Sequence, residues 1–150
     1  MSRFVFKFEE LLNHRRHLRD LVRKRFGQAR EIRMRLASQR SQILSAQESL
    51  IRDLRLLNGT GTININRSTS RQVYAGQLST QLAVLAEHRR QAVTDVESCE
   101  RDLVRVDQDV KSLESLRDKH QHEFLYDQAR RDAHSLEDSC FAARQVTSAS

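Results

Sequence analysis

Asn58-Gly-Thr-Gly-Thr-Ile-Asn-Ile-Asn-Arg-Ser-Thr-Ser70 interrupts a chain that otherwise reads as helix. It holds two of the four glycines and a dense set of Asn, Thr and Ser. Glycine supplies the positive φ that ends a helix, and the short polar side chains compete for its backbone hydrogen bonds. Upstream, alternating steps of three and four visit Phe4, Phe8, Leu11, Arg15, Leu18, Val22, Arg25, Ala29, Ile32, Leu36, Gln39, Ile43, Ala46, Leu50, Asp53 and Leu57. Twelve of these sixteen are apolar in a chain that is 38% hydrophobic. Downstream, the same step visits Leu78, Leu82, Leu85, Arg89, Ala92, Val96, Cys99, Leu103, Val106, Val110, Leu113, Arg117, His120 and Phe124, eleven of fourteen apolar. This is the seam of a coiled coil.

The pattern predicts an all-α fold, a long two-helix antiparallel coiled-coil hairpin forming a single domain over 1–150. Helix 1 is expected over about 4–57, the turn over 58–69, helix 2 over 70–143 and a frayed tail over 144–150. Thr69 with Gln72 reads as a capping box opening helix 2. At about 1.5 Å per residue, helices of roughly 50 and 70 residues span ~80 and ~105 Å. Heptads alone fit an extended dimer as well as a hairpin; the glycine-containing break favours the hairpin. If the turn sets the register, residue 8 lies near residue 120, Arg117 near Glu9 or Glu10, and Arg25 near Asp102. Everything after about 125 then overhangs helix 1, and Tyr126 to Ala143 lacks an internal partner.

Composition agrees. There is no Pro to break a helix, and Arg, Leu, Gln, Glu and Ala favour one. The net charge of +6 is uneven, with 14 Lys/Arg against 6 Asp/Glu in residues 1–57 and 12 against 14 thereafter. Ten Lys/Arg against Asp20 and Glu31 fall between Arg15 and Arg40. A basic DNA-reading helix lies upstream of its heptads, whereas Leu18, Val22, Ala29, Ile32 and Leu36 run the seam through this block. Phe26 is its one aromatic residue, so stacking platforms are missing. The block reads as a solvated face or the docking surface of an acidic protein, with no nucleic-acid partner expected.

Chemistry is sparse. The glycines at 27, 59, 61 and 76 form no phosphate loop. His14 and His17 share a face but have no third ligand nearby, and His120 and His122 point about 200° apart on a helix. Cys99 sits on the seam, and Cys140 has no His or Asp companion to make it a nucleophile. No catalytic, cofactor or metal residues are expected, and the chain reads as a non-enzyme. Two unpaired cysteines, no apolar run of about 18 residues and no signal peptide point to the cytoplasm, with no membrane insertion.

Both ends carry a resemblance. Phe4-Val-Phe6-Lys-Phe8-Glu-Glu-Leu-Leu12, then His14-Arg-Arg and the basic run to Ala29-Arg-Glu31, are similar to the start of the flagellar type III export protein FliJ family and its injectisome relatives such as YscO. The tail Leu113-Glu-Ser-Leu116-Arg-Asp-Lys119-His, Glu123-Phe124, Arg130-Arg131 and Leu136-Glu-Asp138 resembles the same family. Phe124 stands where that family usually has Tyr, and Glu137-Asp138 inverts its Asp-Glu order. The resemblance implies a hairpin like the central stalk of rotary ATP synthases. Its paired ends would enter the ring of an export ATPase (FliI-like) and promote its assembly and activity. It would also contact an export gate protein (FlhA-like) and export chaperones, peripherally at the inner face of the cell membrane. By this analogy ring contacts fall at Phe4, Phe8, Leu11, Phe124, Arg130 and Arg131. Gate contacts fall at Gln39, Ile43, Leu50 and His88. The rival reading is a structural coiled-coil scaffold or dimerisation module with no ATPase partner.

Overall fold

A computed structural model describes residues 2–59 and 65–149, and among these it contains two helices and no strand. Helix α1 runs Glu9–Gly59 and helix α2 runs Ile65–Ser148. They pack against each other as an all-α helical hairpin, and the contacts divide into two units: Met1–Asp20 with Arg105–Ser150, and Leu21–Val104.

In the first unit the partners run in opposite directions. Glu9 meets Arg117 at 3.6 Å, Arg15 meets Asp109 at 3.8 Å, and Arg19 meets Asp107 at 3.8 Å. Arg16 donates through Nε and Nη2 to Glu114 Oε1 at 3.3 and 3.0 Å. These pairs flank a small core of Phe6, Leu12 and Val110, with Phe4, Leu113 and Leu116 packed against it. Leu12 and Val110 are fully buried, each worth roughly 1.5–3 kcal/mol of apolar transfer. The ion pairs are half-exposed and act mainly on alignment. Arg16→Ala or Glu114→Ala is therefore expected to cost less than about 1 kcal/mol, read as a small shift of the thermal midpoint that shrinks further in high salt.

In the second unit, Val22 and Leu50 of α1 and Leu78, Leu85, Ala92 and Val96 of α2 are buried. Asp53 and Arg71 pair at 3.8 Å. Arg25 and Asp102, the expected neighbours, line one groove with Ala29 and Cys99. Small residues there leave the seam thin. Between Val22 and Leu50 no residue of α1 is fully buried.

Four boundaries differ from the sequence reading. Helix α1 begins at Glu9 rather than about residue 4. Val5 is 79% exposed between half-buried Phe4 and buried Phe6, so this stretch alternates with a period of two. Aromatic and β-branched residues are poor helix formers, and the period-two path is the one that buries Phe6. The first helical bonds are Glu9 N–H to Phe6 O and Leu12 N–H to Phe8 O, with Glu9 and Glu10 complementing the helix dipole. Leu12 consequently takes the seam place expected of Leu11, which is 41% exposed.

Part of the expected turn over 58–69 is helix. Asn58 and Gly59 complete α1, residues 60–64 lie outside the described residues, and α2 has begun by Ile65 rather than 70. Thr69 is no cap: its Oγ1 donates to Ile65 O, the back-bond of a threonine already inside a helix. The expected fraying over 144–150 is also replaced by helix as far as Ser148. No Gly or Pro follows residue 143, and Thr147 and Ser148 bond back to the carbonyls of Ala143 and Gln145.

Candidate protein-docking surfaces

The N-terminal segment is held to α2 by aromatic rings. Phe4 and Phe124 lie 5.6 Å apart, and Phe6 meets His120 and Phe8 edge-on at 5.9 Å each. Tilted and edge-to-face ring pairs add about 0.5–1.5 kcal/mol beyond the area they bury. Of the residues expected at an ATPase ring, Phe4 and Phe124 are thus brought together and partly spent on each other. Phe8 and Leu11 are exposed at the start of α1, with Lys7 Nζ 5.7 Å from the Phe8 ring. Arg130 and Arg131 are exposed one to two turns beyond Phe124. From Ala129 to Ala149 every residue of α2 and its end is exposed, including Leu136 at 68%. No part of the described chain covers this overhang.

In the second unit a groove of about 400 Å³ is lined by Gln39, Gln42 and Ile43 of α1 and by Thr80, Val84 and His88 of α2. Three of the four expected gate residues therefore share one concave surface. The fourth, Leu50, is buried in the seam and does not line this groove.

The family described as Flagellar FliJ protein matches residues 4–148, nearly the whole chain. The chain belongs to the FliJ family. A search of the curated proteins and a search of the solved structures gave no match. Membership makes this FliJ-family chain a component of the flagellar export apparatus, the type III route of protein transport, and the family is a non-catalytic one. No helix among the described residues is long and apolar enough to cross a membrane. Two residues that hold the FliJ-family N-terminus in place, Phe6 and Leu12, were not among the expected site residues. The alternation of Phe4, Phe6 and Phe8 was the available signal for the first of them.

Proposed function

We propose that the chain acts as a single central-stalk-like coiled coil that binds the export ATPase ring through its paired ends. The uncovered run of α2 from Ala129 to Ala149, rooted beside the Phe4–Phe124 pair, is the observation that carries this reading. A long exposed helix anchored at one end suits insertion into a ring pore, and Phe8, Leu11, Arg130 and Arg131 are the side chains on hand there. Arg130 and Arg131 would meet acidic groups of the ring, and Phe8 and Leu11 its apolar rim. Binding promotes ring assembly and hydrolysis. The groove of Gln39, Ile43 and His88 faces the export gate protein, and export chaperones are further partners. The complex sits in the cytoplasm against the inner face of the cell membrane.

The test is to add the full chain to its matching export ATPase and follow hydrolysis and ring assembly together. Stimulation is expected, with Arg130→Glu/Arg131→Glu reducing it about tenfold or more through charge repulsion at the contact. Full stimulation by that variant would remove the two arginines from the contact, and no stimulation by the wild-type chain would leave only the structural-scaffold reading. A separate pull-down addresses the gate. Ile43→Asp with His88→Ala is expected to abolish gate binding while leaving ATPase stimulation intact.

A further inference from the structure

Beyond Phe124 the hairpin seam ends and a different stripe begins. Continuing the intramolecular step of three and four reaches Asp127, Arg131 and His134, all polar and exposed. On the far side of the helix, more than a third of a turn round, Tyr126, Ala129, Ala133, Leu136, Cys140 and Ala143 recur at alternating steps of three and four. All six are exposed. The N-terminal segment, packed on Phe124, does not reach that face. The stripe is therefore a second coiled-coil seam without an occupant among the described residues.

Its flank identifies the occupant. Along one edge of the stripe, seven residues apart, stand Glu123, Arg130, Glu137 and Arg144. The charges alternate, and all four residues are exposed. Glu137 meets His134 Nδ1 at 4.0 Å within its own helix yet stays 80% exposed. In an antiparallel two-stranded coil, like edges face each other. When Ala133 is layered on Leu136 of a second copy, Arg130 faces Glu137 of that copy and Glu123 faces its Arg144. The two-fold axis doubles each pair. The same alignment layers Tyr126 on Ala143 and Ala129 on Cys140, and the opposite edge sets Leu125 against Val146. Sliding by one heptad in either direction instead opposes glutamate to glutamate and arginine to arginine. A parallel pairing sets Asp132 against Glu137. The charge order thus selects one partner, one direction and one register.

We infer that residues 122–147 form a self-complementary docking surface through which two copies of this chain associate as an antiparallel, two-fold symmetric pair. The stripe is rich in alanine, so its buried area is small and the association micromolar. The pairing does not rest on the ATPase reading but covers the same overhang, so a paired copy and an ATPase ring would be alternative occupants of it, and its test contains no ATPase.

The test uses the full-length chain in sedimentation equilibrium at low salt, from about 1 µM to about 0.5 mM. The wild-type chain is expected to show a reversible monomer–dimer equilibrium that weakens with added salt. Arg130→Glu and Glu137→Arg each place two like-charge pairs in the interface, and each alone is expected to weaken dimerisation about tenfold or more. An equimolar mixture of the two variants, and the double variant R130E/E137R, restore opposite charges and should recover wild-type dimerisation. As these side chains are solvent-exposed, circular dichroism of all four proteins should coincide. The register has its own readout. With Cys99→Ala in place, Ala129→Cys should oxidise to a dimer linked through Cys140, while Cys140 alone should not crosslink. Across an antiparallel layer the Cα atoms of residues 129 and 140 approach disulfide distance. A monomeric wild type across the range overturns the proposal, as do single charge variants that dimerise like wild type or a Cys140–Cys140 crosslink. A monomeric result would leave the stripe to an unlike protein.

Discussion

Leu12→Ala is expected to destabilise the protein by about 3 kcal/mol, within the range for leucine truncation at a site with no room to collapse. Leu11→Ala, one residue away and half-exposed, should cost less than about 0.5 kcal/mol, as surface substitutions do. Leu12 is fully buried against Phe6 and Val110, and its loss leaves a void in a core of only three buried side chains. Leu113 and Leu116 cannot fill that space without leaving their own positions on α2. The contrast is measured by urea denaturation followed at 222 nm. Equal effects at the two positions would mean that α1 enters the seam one residue earlier than described here. The same void should loosen the N-terminal segment, since Phe6 bridges Leu12 to the ring of His120.

Removing residues 129–150 is expected to leave the packed part of the first unit as stable as before while abolishing ATPase stimulation. Every side chain from Ala129 to Ala149 is exposed, so its loss uncovers no core. The thermal midpoint should move by no more than a few degrees, which corresponds to less than about 1 kcal/mol. A fall in helical signal proportional to the residues removed should accompany it. If stimulation survives the truncation, the contact with the ATPase lies at Phe8 and Leu11. If the midpoint collapses, the overhang contributes to the fold in a way its exposure does not reveal.

Much of this arrangement was legible because a heptad seam is a local, periodic signal. Val22, Leu50, Leu78, Leu85, Ala92, Val96, Val106 and Val110 all stand on the predicted stripe and are all buried. The register followed from the position of the break, and Arg117 beside Glu9 agrees with it. Periodicity failed where the backbone leaves the helix. Phe4 to Phe6 alternate with a period of two and Phe8 stands exposed where α1 opens, so counting from residue 4 put Leu11 in the place of Leu12. The same register, with residue 8 near residue 120, places Phe4 beside Phe124, and the two rings do pair, although their tilted contact was not itself readable from the spacing. Thr69 illustrates a different limit. A hydroxyl near a helix start can cap it or bond back inside it, and the choice rests on where the preceding backbone already lies. For the candidate surfaces, the overhang follows from the register, and Gln39, Ile43 and His88, named from the sequence, line one groove. Leu50 lies in the seam instead, because a seam residue and a docking residue look alike until burial is known.

Within Leu21–Val104 the two helices are mechanically unequal. Helix α2 is gripped at Leu78, Leu85, Ala92 and Val96, whereas α1 between Val22 and Leu50 offers no fully buried side chain. Seven basic residues from Arg23 to Arg40 crowd that stretch against the single acid Glu31. Under a bending or twisting load, the middle of α1 gives way first, since its own hydrogen bonds are most of what resists. The strain is then carried by α2, which stays the stiff member. Within Leu21–Val104 one helix thus serves as a spine and the other as a softer splint beside it.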